Sequence, residues 1–222
     1  MRFCERLRRD NDAVFSAARS HPFVRGIGDG SLPRTTFSRW IVQDWLYLQG
    51  YLGALESAAI RSPTPSAREF WGELKRLTLE EELSLHRRLA GRFGLSIDDL
   101  DNARPTTATE AYLQTLQVAQ TDYPTLVATL TPCAVSYAEI GRQLAAEGNC
   151  PEPDYTAWIN TYTDPAFTET IKVFEKELDR CGECPEAVGP IEIAYGRAAR
   201  HEVAFWDGLY DPVYPDITTC GT

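Results

Sequence analysis

Apolar residues along this chain recur at spacings of three and four, in long runs broken by short clusters of proline, glycine and small polar residues. That is the period of helices, and it repeats from one end of the chain to the other. The first run extends from about Phe3 to Ser20 and stops at His21-Pro22-Phe23. A stretch with Gly26, Gly28, Asp29, Gly30 and Pro33 reads as a loop, after which Thr35 or Thr36 can cap a helix reaching Ser62. Beyond Pro63 and Pro65, Ser66 can cap a third helix that stops at Phe93-Gly94, and Ser96 to Leu100 reads as a short helical turn. Further runs cover about Thr107 to Gln120, Tyr123 to Glu147, Asp154 to Tyr162, Pro165 to Arg180 and Glu186 to Tyr210, with a Pro-rich tail behind them. Alternating β-branched segments joined by hairpin turns are missing. The expectation is an all-α fold of roughly seven or more helices, a larger bundle than four helices would make.

The informative residues are polar ones that fall where an apolar stripe should run. At about 100° per residue, Trp40, Asp44, Tyr47, Leu48, Tyr51 and Leu55 share a face of the second helix, with Asp44 in the middle. Tyr195, Ala198, Glu202, Phe205, Trp206 and Leu209 share a face of the last, with Glu202 central. Leu126, Leu130, Cys133, Tyr137, Ile140 and Leu144 make the stripe of the Tyr123 run, so Cys133 and Tyr137 stack one turn apart. A buried carboxyl is costly unless paired, and burial suits it to acid–base work. Each residue alone also has a bland reading: a structural anchor for the acids, a small hydrophobe for the cysteine, a core ring with a satisfied hydroxyl for the tyrosines. Two acids, a thiol and several aromatics together point to an enclosed, dry chamber for a flat polar ligand.

Composition narrows the partners. With 22 Lys and Arg against 32 Asp and Glu, the formal charge is −10, which opposes a nucleic-acid partner because phosphate binding needs a basic stripe. No apolar run approaches the roughly 18 to 20 residues of a membrane span. At 222 residues a single domain over 1–222 can bury its own core without a metal or disulfide. Met1-Arg2-Phe3-Cys4-Glu5-Arg6-Leu7 turns charged at once, unlike a secretory signal. The expectation is therefore an intracellular, cytoplasmic chain whose six cysteines stay mostly reduced.

Three further signals are weaker. Glu82 and His86 lie one turn apart at a ligand-capable spacing, but the chain has three histidines and no second such pair, so packing of His86 against a nearby acid is the preferred reading and no metal is expected. Cys181-Gly182-Glu183-Cys184 is a lone CxxC with no second pair for zinc and no βαβ setting. Pro132 removes a donor inside its helix and frees the carbonyl four residues before it; this could open room beside Cys133 or be an ordinary bend.

Taken in order, a set of short motifs resembles the TenA (thiaminase II) family. They are His21-Pro22-Phe23 with Gly28-Asp29-Gly30-Ser31-Leu32; Gln43-Asp44-Trp45-Leu46-Tyr47-Leu48 with Tyr51; Glu82 with His86; Pro132-Cys133 with Tyr137-Ala138-Glu139-Ile140-Gly141; Tyr155, Trp158 and Tyr162; and Glu202 with Phe205-Trp206-Asp207. The resemblance implies a heme-oxygenase-like multi-helix bundle, no cofactor, and a homo-oligomer, often a tetramer. By position it implies that Asp44 holds the ring nitrogen and 4-amino group of an aminopyrimidine. Cys133 takes the place of the nucleophile, Tyr137 its hydroxyl neighbour and Glu202 the general acid/base. Tyr47, Tyr51, Tyr112 and Tyr162 join Tyr137 as the pocket wall. Position 47 often carries Phe in the family.

The implied activity is hydrolysis of 4-amino-5-aminomethyl-2-methylpyrimidine to the hydroxymethylpyrimidine and ammonia, a step of thiamine salvage, or cleavage of thiamine itself. Two rival classes stay open: an oxidative enzyme on the same fold, di-iron or cofactor-free, and a non-catalytic pyrimidine-binding or regulatory protein.

Overall fold

The computed structural model describes residues 1–148 and 150–210; the Pro-rich tail and Cys220 lie outside the described residues. In chain order the elements are α1 (Phe3–Asp10), α2 (Asp12–Arg19), α3 (Pro22–Asp29), α4 (Arg34–Arg61), α5 (Pro65–Leu77), a π-helical turn (Thr78–Glu82) and α6 (Leu83–Arg92). They continue with α7 (Ile97–Asp101), α8 (Thr107–Ala119), α9 (Tyr123–Glu147), α10 (Pro153–Thr163), α11 (Pro165–Cys181) and α12 (Pro185–Gly208). Among the described residues there is no strand, as the helical period predicts.

The boundaries follow from caps. Thr64, Ser96, Thr106 and Asp122 each accept a hydrogen bond from the backbone N–H three residues on, at 3.2, 3.1, 3.1 and 3.0 Å, and Asp164 accepts from Ala166 N at 2.7 Å. Each such cap satisfies a donor the helix cannot satisfy itself and contributes about 1 kcal/mol. The cap of α5 is thus Thr64, with Pro65 in the first turn, where the sequence reading placed Ser66. The expected first helix is divided at Asn11 into α1 and α2.

The stretch read as a loop before Pro33 is in fact α3. Its Pro22 occupies the first turn, where a missing N–H costs nothing, and the His21 ring accepts from Phe23 N at 3.1 Å. Its glycines serve packing: a Cβ on Gly26 would meet the Leu32 backbone at 3.1 Å, and one on Gly28 would come within 2.7 Å of Leu144 Cδ2, which would have to shift. The helix ends at Gly30 with φ +77°, a left-handed cap that favours glycine.

The helices group into two compact units. One comprises Met1–Leu32 and Asp122–Trp206; the other comprises Pro33–Thr121 and, among the described residues, Asp207 to Tyr210. In the first, α9 packs against α2, α3, α10 and α11. Its partly buried Glu139 takes bidentate bonds from Arg8, at 2.5 and 2.7 Å, and also pairs with Arg19. That binds α1 and α2 to α9 through charge-assisted bonds with little exposure. Gly141 lets α10 approach, since a Cβ there would meet Tyr162 Cβ at 2.9 Å.

In the second unit α4 is the axis, packed by α5, α6, α7 and α8. Between Thr36 and Leu48 only Arg39 and Leu46 escape full burial. A helix buried on nearly every side is a core element, and the single stripe read from the sequence is one face of it. Gln43, fully buried, explains a polar group off that stripe. Its amide donates to Arg104 O at 3.1 Å and accepts from Thr106 N at 2.9 Å, which anchors the segment leading into α8.

Candidate active site

Within the second unit, α4 carries Asp44, Tyr47 and Tyr51, all buried. Tyr112 comes from α8 and is buried too; its ring centroid is 4.8 Å from that of Tyr47, and Tyr51 stacks 5.9 Å from Tyr47 at an interplanar angle of 22°. The three tyrosines and Asp44 are thus held within one unit by the α4–α8 packing. The spacing of α4 brings Asp44, Tyr47 and Tyr51 to one side; Tyr112, some sixty positions on, depends on tertiary folding.

Asp44 has a partner that helix periodicity does not reveal. His86 on α6 places Nε2 2.7 Å from Asp44 Oδ2, a charge pair between two buried side chains. The other ring nitrogen, Nδ1, donates to the Glu82 carbonyl at 3.0 Å. Trp40 covers the ring, its centroid 5.3 Å away. The imidazole therefore faces an oxygen at each nitrogen, the arrangement that a doubly protonated ring satisfies. Burial alone would lower its pKa; the bond to and charge of Asp44, with the charge and carbonyl of Glu82, outweigh burial and raise it. The Glu82 carboxyl is pushed up to about 7 by burial, with the Asp44 charge adding and the His86 charge opposing.

The π-helical turn Thr78–Glu82 immediately precedes this pair. Such turns insert an extra residue into a helix and are frequent at functional sites. The Glu82–His86 spacing that suggested a weak ligand pair is thus a carbonyl clamp that orients an acid's partner, in line with the preferred packing reading. Among the described residues no group of three or more ligating side chains is gathered for a metal.

In the first unit, α9 is buried from Leu126 to Ala138 with one exception: Cys133 is half-buried. Pro132 stands beside it inside the helix. Tyr137, one turn on, sits in a ring of aromatics: Tyr162 at 4.6 Å, Trp206 at 5.5 Å and Trp158 at 5.8 Å between centroids. Phe23 stacks on the far partner Trp206 at 4.7 Å and 16°. Glu202 lies one turn before Trp206 on α12 and is buried. The motifs point to Cys133, Tyr137, Tyr162 and Glu202 in this unit; the ring around Tyr137 adds Trp158 and Trp206, the latter on the same stripe as Glu202.

Cys181 and Cys184 are thiols at the end of α11, the first buried and pushed up to about 11, chiefly by burial. The second is exposed and donates to the Glu186 carboxylate at 3.1 Å.

Comparison with known proteins places this arrangement in context. The sequence model of the TENA/THI-4/PQQC family matches residues 8–212. The chain is similar to an aminopyrimidine aminohydrolase of Halalkalibacterium halodurans, with 32% identity over 216 residues, 95% of this chain and 96% of that protein. In structure it is similar to a TenA homologue of P. horikoshii OT3, at a TM-score of 0.89 and 24% identity, covering 95% of this chain and 99% of that one. A Shewanella denitrificans domain described as having a heme oxygenase-like fold matches at a TM-score of 0.74 and 12% identity, over 94% of this chain and 90% of its own.

Proposed function

Because the chain belongs to the TENA/THI-4/PQQC family and has the all-helical heme-oxygenase-like fold, we propose that it is an aminopyrimidine aminohydrolase, a hydrolase of C–N bonds that serves thiamine salvage. The observation that carries this is the 32% identity to an aminohydrolase along almost the whole of both chains; the half-buried Cys133 and the buried Asp44, Glu202 and tyrosines support it. The substrate is 4-amino-5-aminomethyl-2-methylpyrimidine, and thiamine, which carries the same pyrimidine on a thiazolium, is a second substrate. One family model spans both units, which supports a single TenA-like domain over 1–222. A homotetramer and a cytoplasmic location complete the proposal; no helix of the described residues is long and apolar enough to cross a membrane.

The chemistry runs through a covalent adduct. The Cys133 thiolate adds to the ring carbon next to the substituted one, forming a C–S bond and sending a π pair onto the ring nitrogens. Asp44 supports the ring nitrogen and 4-amino group while that charge develops. The electrons then expel ammonia from the exocyclic methylene, its proton coming from Glu202. Water, deprotonated by Glu202, adds to the methylene, and loss of the thiolate restores the aromatic ring. The balance is aminomethylpyrimidine plus water giving hydroxymethylpyrimidine plus ammonia. Splitting the displacement this way replaces one high barrier by lower ones. Tyr137 is assigned to hydrogen-bond the thiol, and Tyr47, Tyr51, Tyr112 and Tyr162 to hold the flat ring.

The test offers purified protein the aminomethylpyrimidine and thiamine side by side. The proposal expects ammonia release with the larger specificity constant for the aminomethylpyrimidine. A protein that binds the pyrimidine and turns over neither substrate is a binding or regulatory protein, and the enzymatic reading is then wrong.

A further inference from the structure

A 4-aminopyrimidine and its 4-oxo counterpart have almost the same shape and differ on the edge that Asp44 is proposed to read. The amino compound, once its ring nitrogen carries a proton, shows two donors there. The oxo compound shows one donor beside one acceptor. An ionised carboxylate is acceptor-only and matches two donors; a protonated carboxyl, with one donor and one acceptor, matches the oxo edge as well. The protonation state of Asp44 is therefore a specificity setting, and a buried carboxyl left alone drifts to the neutral form.

The structure holds a device against that drift. The His86 Nδ1–H is committed to the Glu82 carbonyl at 3.0 Å, and Nε2 stands 2.7 Å from Asp44 Oδ2. A ring protonated at Nδ1 alone would turn a lone pair toward the Asp44 carboxylate, so an ionised Asp44 requires the imidazolium. Both groups are buried, which keeps the pair undiluted by solvent. The charged groups that act on His86 are Asp44 and Glu82, and those that act on Glu82 are His86 and Asp44. On the neighbouring elements Asp101 of α7 is taken by the Trp45 indole at 3.1 Å, Arg87 lies over the Trp45 ring, and Glu110 of α8 is exposed. We propose that His86 is a positioning residue that makes the site select a 4-amino over a 4-oxo pyrimidine, by holding Asp44 as an ionised, acceptor-only carboxylate. This rests on the aminopyrimidine reading and adds to it a residue that acts through Asp44.

The test titrates two probes calorimetrically, 4-amino-5-hydroxymethyl-2-methylpyrimidine and its 4-oxo counterpart, against wild type, His86→Phe and His86→Gln. Wild type should prefer the amino probe. In His86→Phe the preference should fall about tenfold or more, the worth of one mispaired buried polar contact, chiefly because the oxo probe gains. His86→Gln, which can donate to Asp44 but brings no charge, should lose less, and it carries the prediction if the Phe variant does not fold. A preference that stays at the wild-type value in the folded variants, with both affinities moving together, would mean a structural role and overturn the inference. Wild type that binds neither probe would overturn the aminopyrimidine reading and this inference with it.

Discussion

The Asp44 and Cys133 regions treat their polar groups in opposite ways. Asp44 is sealed into the second unit with a charged partner, a carbonyl behind that partner and a tryptophan over it. Cys133 is the half-open position in a closed run of α9, flanked by an aromatic ring around Tyr137. A recognition group gains from being fixed in place and in charge, because its hydrogen bonds must be ready before the ligand arrives. A nucleophile has to reach its target and leave it again, which a sealed thiol could not do. The contrast teaches that burial by itself does not mark the chemistry here: the buried polar cluster is the one assigned to read the substrate, and the residue assigned to covalent work is the less buried one.

The largest expected break in that contrast is at the thiol. Cys133→Ser should lower kcat by about three orders of magnitude or more, because a serine alkoxide is far harder to form than a thiolate, while affinity for the hydroxymethylpyrimidine stays within about twofold. Steady-state ammonia release and a binding titration check the two halves, and near-normal turnover would remove the nucleophile. Asp44→Asn should instead weaken pyrimidine binding by about ten- to a hundredfold and lower kcat as well, since it removes a charged hydrogen-bond partner of the ring. An unchanged dissociation constant would contradict the role. The two variants thus separate reading from reacting.

How much of this could be read from the sequence differs between the same two regions. Asp44, Cys133, Tyr137 and Glu202 stood out because each is polar at a core position of a regular helix, and periodicity is a local signal. Tyr162 and Tyr112 came only with the family resemblance, since their neighbours lie on other elements. The pairing of Asp44 with His86 was not legible: nothing in the spacing of α4 points to a ring on α6, and the π-helical turn that sets the Glu82 carbonyl has no sequence signature to distinguish it from α-helix. The glycines of α3 misled for a physical reason. They read as loop formers, whereas they lie inside a helix packed closely on its neighbours, with a Cβ on Gly26 meeting the Leu32 backbone at 3.1 Å. Gln43 likewise read as an unremarkable member of a motif, and its clamp on Arg104 and Thr106 needed coordinates to see.

A smaller effect sharpens the sealed side. The Glu82 carboxyl is raised from its usual 4.5 to about 7, so the folded chain binds a proton that the unfolded chain has lost between those values. Its contribution to stability is therefore full below about pH 4.5 and is lost as pH rises toward 7. His86, also raised, adds a loss in the same direction above its ordinary 6.5. Melting temperatures across pH 5 to 8 should show a downward slope that Glu82→Gln makes shallower; an identical slope in the variant would show that Glu82 does not titrate in this range. The smallest effect expected is at Cys184, exposed and given no role, where Cys184→Ser should leave turnover and melting temperature unchanged within error.

The most direct test of the account is to run the reaction of 4-amino-5-aminomethyl-2-methylpyrimidine in ¹⁸O-labelled water with wild-type protein. Hydrolysis at the exocyclic methylene predicts one ammonia for each hydroxymethylpyrimidine formed, with the label in its hydroxyl. Pyrimidine product without label, or formed without ammonia, would contradict it.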